Sequence, residues 1–351
     1  MPDSNAIQVQ PYSLGDESDL VALFQRVYGR SSTTDHWRWK LQWPDCPVDN
    51  VWLARTEDEP IFQYAAIPTR FSLNHRTVTM MVSVDTMTAP EFRRRGLLTR
   101  VASRAYAQWR DGGIAFVIGL PNDQWGSRLD ALGFQSLFPL QWLMRPLRPE
   151  VMIARRLRVP VLDRATLPAA LWNSLLNTGI RKDPAVSLEP VSHADGAFDE
   201  LWHTLERAWA FSTVRDSRWV DWRFLKSPTR SYTVTLARRR GRPVGYSAYA
   251  LSGSEEYPSA YLAELLSSPT DPAARDTLMS ALLDRLRAAR ARAVYTLAVP
   301  GTSNFQWLRR CGFFPRHTFS VRLAALADHM PWQLLRNPEH WNLSGADFDV
   351  I

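Results

Sequence analysis

The chain carries its own pattern twice. Shifted by 183 positions, Trp39, Val51, Leu53, Ala54, Arg55, Pro60 and Ala65 fall on Trp222, Val234, Leu236, Ala237, Arg238, Pro243 and Ala248, seven identities in 27 positions. A shift of 179 then pairs Pro90, Ala102, Pro121, Leu129, Gly133 and Phe134 with Pro269, Ala281, Pro300, Leu308, Gly312 and Phe313. One short deletion between the two blocks accounts for the change of offset. A period this long marks a duplicated domain, whereas solenoid units run to a few tens of residues. The 351 residues are enough for two cores of roughly 100–200 residues each.

Each copy reads as the same series of elements. In the first, Leu20, Leu23, Phe24 and Val27 recur at helical spacing between Asp16 and Arg30. Strands follow over 50–56 and 60–71, then a long β-branched and Met-rich strand over 77–88. Leu98, Val101, Ala102, Ala105 and Trp109 make a helical stripe that stops at Gly112-Gly113. The run 114–120 is a short, wholly apolar strand of the buried kind, and a last helix leads to Gly133-Phe134 and another strand. The expected division is a first domain at 1–147, a connector at 148–190 with one helix at Leu167–Leu176, a second domain at 191–327, and a tail at 328–351. Trp332 and Trp341 are expected to anchor that tail.

Composition narrows the class. Forty-five per cent of residues are hydrophobic and 22% charged, ordinary for a globular chain. No apolar run approaches the ~20 residues of a membrane helix, and the first residues lack a secretory pattern. Cys46 and Cys311 are too few for a disulfide framework or a multi-cysteine zinc site, and the seven histidines show no ligand spacing. These features read as a cytoplasmic protein. The formal charge of +7 fits an anionic partner such as a phosphate-bearing cofactor or a nucleic acid, and equally a merely Arg-rich surface.

The chemistry sits at the end of the long strand. Val84-Asp85-Thr86-Met87-Thr88-Ala89-Pro90-Glu91-Phe92 runs into Arg93-Arg94-Arg95-Gly96, and Leu97-Leu98 opens a helix. A glycine-containing loop ahead of a helix gathers backbone N–H groups, the helix dipole adds positive potential, and three arginines strengthen the field. A pyrophosphate suits such a loop. Asp85 and Ser83 share one face of the strand by period-two alternation, so both are candidates to face a site there, Asp85 as a base or else as a structural carboxylate.

This segment resembles the acetyl-CoA loop of the GNAT N-acyltransferase superfamily, Gln/Arg-x-x-Gly-x-Gly/Ala after a strand and a proline. Arg93 and Gly96 fit its anchors, and Leu98 stands at the second small position. Pro121-Asn122, followed eleven residues later by Gly133-Phe134, is similar to the family's last-helix segment. The resemblance covers about residues 10–147. It implies two mixed α/β (α+β) domains in a tandem GNAT fold, with acyl-CoA, most simply acetyl-CoA, as co-substrate. It implies contacts from Arg93, Arg94, Arg95, Gly96, Leu97, Leu98 and Asn122, and a backbone N–H near Met87 and Thr88 that polarises the thioester carbonyl. A primary amine then attacks directly. The acceptor it implies is a small molecule such as an amino sugar, an aminoglycoside-like amine or a polyamine, or else a peptide N-terminus.

The tyrosine that many relatives carry four residues before Gly-Phe is Leu129 here. Another group protonates the thiolate, or none does, or the domain binds acyl-CoA without fast turnover. The second copy has Pro272, Arg275 and Thr277 in place of Arg93, Gly96 and Leu98, so no pyrophosphate nest is expected there. Glu264 aligns with Asp85. Arg238-Arg239-Arg240-Gly241 aligns with Arg55 to Asp58 and reads as a solvated hairpin turn. The repeated Trp39-Lys40 and Trp222-Arg223 pairs read as a Trp wedged beneath the first hairpin, or else as a pair that stacks on a ring and holds an anion, and Asp35-His36 reads as a helix start. A Fem-like aminoacyl-tRNA-dependent transferase and a non-catalytic acyl-CoA-binding protein are the competing readings.

Overall fold

Thr33 opens a helix by accepting the N–H of His36, and Gly29 closes the preceding one in the left-handed region, so a helical pair forms early in the first repeat. The computed structural model describes residues 7–43, 45–57, 59–121, 125, 128–157, 180–253 and 256–348. Asn122 and the helix expected at Leu167–Leu176 lie outside the described residues.

In chain order the first repeat forms β1 (Gln8–Pro11), α1 (Glu17–Tyr28), α2 (Thr34–Leu41), β2 (Val51–Arg55), β3 (Pro60–Leu73), β4 (Arg76–Thr88), α3 (Leu97–Asp111), β5 (Phe116–Gly119) and α4 (Arg128–Ala131). Then come β6 (Phe134–Pro146) and α5 (Pro149–Leu157). The second repeat gives β7 (Val186–Val191), β8 (Phe211–Thr213), β9 (Tyr232–Arg239), β10 (Arg242–Ser252), β11 (Ser259–Ser267), β12 (Ala293–Ala298) and β13 (Phe314–Ala325), with β14 (Trp341–Asn342) in the tail. Its main helices are Gly196–Leu205, Pro272–Ala288 and Ser303–Arg310. The chain is a tandem of two mixed α/β units.

Two compact units arise, Met1–Phe138 with Ser320–Arg336 and Pro139–Phe319 with Asn337–Ile351. In the first, β1 to β4 are antiparallel neighbours, β5 joins β4 in parallel, and Arg322–Ala325 of β13 completes the sheet against β5. In the second the order is β7-β9-β10-β11-β12, completed by Gln141–Pro146 of β6. The last strand of each repeat thus serves the other unit's sheet, and these units divide the chain differently from the expected 1–147 and 191–327. β6 has 13 residues and β13 has 12, against four in β5 and six in β12, so each long strand has length to spare beyond its short neighbour. All of β7 but its last residue lies in the expected connector. Its alternating Val186, Leu188 and outward Ser187, Glu189 make an edge strand, where Pro190 is tolerated.

Neighbouring residues on β3 fix the two faces of the first sheet. Trp37 Nε1 of α2 donates to Gln63 Oε1 at 3.3 Å, so α2 covers that side. Tyr64 points the other way, where its hydroxyl meets that of Tyr106 at 2.7 Å and its ring stacks on Trp109 of α3. Leu97, Val101, Ala102, Ala105, Tyr106 and Trp109 are the buried stripe of α3. Asn74 and His75 both take positive φ, the backbone of a tight turn between β3 and β4.

Candidate functional site

The register of β4 against β3 slips by one residue beside Asp85. Ala66 faces Ser83 and Ala65 faces Val84, but Gln63 faces Met87, so Asp85 and Thr86 together oppose Tyr64. Asp85 takes φ of 44°, a left-handed conformation that is uncommon outside glycine. The bulge corrects the expected alternation. Ser83 lies opposite Ala66 on the α3 face, within hydrogen-bonding reach of the Tyr64 hydroxyl. The Asp85 carboxylate reaches instead to the α2 side, where Lys40 Nζ stands 2.7 Å from Oδ2. Gln63 Nε2 donates to the Asp85 carbonyl at 3.1 Å, and the Tyr28 hydroxyl to that of Thr86 at 2.9 Å.

The same bulge selects which amide faces outward. Ala89 N–H donates to Ile61 O at 2.9 Å, so antiparallel alternation directs Met87 N–H toward β3 and Thr88 N–H to the opposite edge. Arg93 Nε donates to Thr88 O at 3.4 Å on that outer edge. β5 pairs with β4 only at Met81–Val117 and Val82–Ile118, so beyond Val82 the outer edge has no strand partner among the described residues. β4 thus runs on past the end of β5 with the Thr88 N–H on its outer edge, and the opening beside that edge is the wedge. Of the two expected donors, Thr88 has this geometry and Met87 does not.

The loop continues from the wedge. Pro90–Phe92 makes one 3₁₀ turn, Arg94 and Gly96 take φ of 63° and 71°, and α3 starts at Leu97. Left-handed residues in alternation curve a loop so that its N–H groups gather into a concave nest. No side chain caps α3, and its first intrahelical bond runs from Arg100 N–H to Gly96 O, which leaves the first-turn amides for an anion. Arg93, Arg94 and Arg95 are exposed around this point, and Phe92 and Leu97 are buried beneath it. Arg95 lies over the Phe92 ring at 4.9 Å, and Leu98 is half-buried. The donor set suits a pyrophosphate, and the wedge suits an extended chain that ends in a carbonyl.

Residues 8–127 match the family described as the acetyltransferase (GNAT) domain. This segment is a GNAT domain. Its chemistry is acyl-CoA-dependent N-acyl transfer, with acyl-CoA as co-substrate. Three solved structures share the fold at 12% identity. A GCN5-related N-acetyltransferase from Anabaena variabilis has a TM-score of 0.68, with 92% of this chain and 73% of that one covered. A conserved protein of unknown function from Enterococcus faecalis, a probable N-acyltransferase, gives 0.66 with 94% and 74% covered. Saccharomyces cerevisiae N-myristoyltransferase with bound myristoyl-CoA gives 0.60 with 92% and 84% covered. No curated protein matches the chain in sequence.

Leu129, at the family's tyrosine position, is 4% exposed and offers no proton. Burial raises the Cys46 thiol and pushes that of Cys311 up to about 12, so neither is an activated nucleophile. No group of three metal-ligating side chains occurs among the described residues, and no helix there is long and apolar enough to cross a membrane.

The second unit shows the same site transformed. β11 also bulges, between the Ala248–Glu264 and Tyr249–Leu262 pairs, so an acidic residue stands at both bulges. Glu264 is fully buried. It accepts from Arg215 Nε at 2.8 Å, and Arg215 Nη2 donates to Asp347 at 2.7 Å. Gly345–Asp347 packs on β11 and β12, with Gly345 so close to the Tyr261 ring that no larger residue fits. At the start of helix Pro272–Ala288 the Asp271 carboxylate accepts from Ala274 N–H and pairs through both oxygens with Arg239. A carboxylate of the chain itself therefore holds the place where the first unit leaves its helix uncapped. Arg240 and Gly241 form the expected turn, while Arg239 faces Asp271 and Asp183.

The sequence marks Lys40 only as half of a repeated pair and gives no sign of its ion pair with Asp85. The repeated Trp39-Lys40 and Trp222-Arg223 pairs carried the signal, but the tryptophans are only half-buried and the cations are the buried members. Trp37 is the ring lodged under β3.

Proposed function

We propose that the first unit transfers an acyl group, most simply acetyl, from acyl-CoA to a primary amine by direct attack, and that the second unit is a degenerate copy. The observation that carries this reading is the uncapped, arginine-lined start of α3 beside a wedge with the Thr88 N–H on its edge. Arg93, Arg94, Arg95, Gly96 and the amides of Leu97 and Leu98 hold the pyrophosphate. The Thr88 N–H polarises the thioester carbonyl, a preorganised dipole aimed where negative charge develops. The amine nitrogen bonds to the carbonyl carbon, the carbon–sulfur bond breaks, and the amine proton passes to Asp85, directly or through water. The thiolate leaves without a dedicated acid at position 129. Ser83 lines the α3 side of the strand and takes no proton in this scheme.

The acceptor is a small amine such as an amino sugar or polyamine, or a peptide N-terminus. Two free thiols fit the reducing cytoplasm. Calorimetry with acetyl-CoA is expected to give one site per chain. Arg275→Gly, which restores the glycine of the second loop but leaves Asp271 in place, is expected to keep that count at one. A second site in this variant contradicts the degeneracy. Thiol release on a panel of glucosamine, spermidine and a short peptide with a free N-terminus then names the acceptor class. Absence of acetyl-CoA binding, with salt-dependent RNA binding in its place, moves the aminoacyl-tRNA reading to the front.

A further inference from the structure

We propose that Lys40 is a positioning residue for acyl transfer: through its ion pair with Asp85 it holds the β4 bulge that turns the Thr88 N–H into the wedge. This rests on the acyltransferase reading above. Continue the Ala65–Val84 register without the extra residue, and alternation puts Met87 N–H outward and Thr88 N–H against β3. The bulge is what exchanges them. It needs support, because a non-glycine residue at φ of 44° is disfavoured and such a conformation persists only where its surroundings over-determine it.

The support converges on this residue from three sides. The Lys40 ammonium, 4% exposed, lies 2.7 Å from the carboxylate, Gln63 holds the Asp85 carbonyl, and Trp37 holds Gln63. The backbone of the next residue takes the Tyr28 hydroxyl. A buried ammonium is costly without its counter-ion, so Lys40 and Asp85 fix each other. The second unit keeps the acid at its bulge but gives it another cation. Arg223, the repeat counterpart of Lys40, donates instead to the carbonyls of Ala346 and Phe348, and Arg215 takes Glu264. The link between position 40 and the bulge is therefore particular to the unit that has the open wedge and the cofactor loop.

The test uses the full chain, acetyl-CoA labelled with ¹³C at the carbonyl, and two readouts that need no acceptor. Calorimetry reports affinity, which the loop sets, and the infrared carbonyl stretch of bound acetyl-CoA reports polarisation, which Thr88 sets. In wild type the stretch is expected below its solution value. In Lys40→Met it should return toward that value while the dissociation constant changes by less than about threefold, since the loop amides and arginines that carry affinity are untouched. Lys40→Arg, which keeps the charge, should restore the lowered stretch. On whichever amine the panel identifies, Lys40→Met should lower kcat by about 100-fold, the order expected for loss of one oxyanion donor.

A stretch that stays lowered in Lys40→Met overturns the inference. So does a joint collapse of affinity and polarisation in both Lys40 variants, which marks a merely structural residue. Wild type that binds no acetyl-CoA defeats the acyltransferase reading itself, a result separable from either of these.

Discussion

Replacing Arg215 by Met is expected to destabilise the protein by about 3–5 kcal/mol, the cost of breaking a buried ion pair from one side. The guanidinium is fully buried, bonded to Glu264 and Asp347, and donates through Nη1 to Ser212 Oγ and Thr213 O. Burial works against its charge, but the two carboxylates outweigh that effect and raise it above the ordinary arginine range. Without it, two carboxyl groups share an apolar interior. Burial, with Asp347 adding to it, already raises Glu264 above its ordinary value in the presence of Arg215.

The sign of the pH effect follows. An acid whose folded pKa is raised holds its proton more tightly when folded, so stability is lost as pH rises from the ordinary glutamate range toward the raised value. Losing Arg215 raises Glu264 further and extends that loss to higher pH. Urea unfolding at pH 5 and pH 8 should show the variant losing more relative to wild type at pH 8. An equal deficit at both would mean that the carboxylates find other partners. Arg215→Met combined with Glu264→Leu and Asp347→Leu should recover much of the deficit, because no buried charge remains.

Gly96→Asp is expected to weaken acetyl-CoA binding by about 100-fold or more while the fold stays intact. The second unit shows why, since Asp271 already caps its helix with a carboxylate. No atom lies within 4 Å of a Cβ built on Gly96, so the side chain has room, although φ of 71° strains it by about 1–2 kcal/mol. A capping bond returns about 1 kcal/mol. The new carboxylate takes the amides meant for phosphate and repels it. Loss of two charge-assisted bonds at about 1.5–3 kcal/mol each corresponds to ~100-fold or more in Kd. Gly96→Ala separates strain from charge, since it carries the same strained φ and no carboxylate, and should cost far less affinity. Equal losses in the two variants would place the pyrophosphate elsewhere.

The repeat, the order of elements from α1 to β6 and the strand–loop–helix at 84–98 were legible in the sequence, because each is written in local spacing. Hydrophobic period, glycine position and charge need no distant partner to be read. What the tertiary structure alone decided begins at Asp85. Period-two alternation placed it with Ser83, and one extra residue in β4, invisible to spacing, put the two on opposite faces. The same slip chose Thr88 over Met87 as the outward amide.

Lys40 is half of a sequence motif, yet its neighbour Trp39 is the residue that looked structural. Only the packing of α2 on β3 shows that the ammonium is the buried member. The exchange of β6 and β13 had no local signature either, since a strand reads alike whichever sheet it joins. Nor does a polar tail such as Ser344–Phe348 announce that Asp347 will complete a buried ion cluster with Arg215, 132 residues away. Period and composition are properties of neighbours along the chain. Register, charge pairing and strand partnership are settled by residues that folding alone brings together.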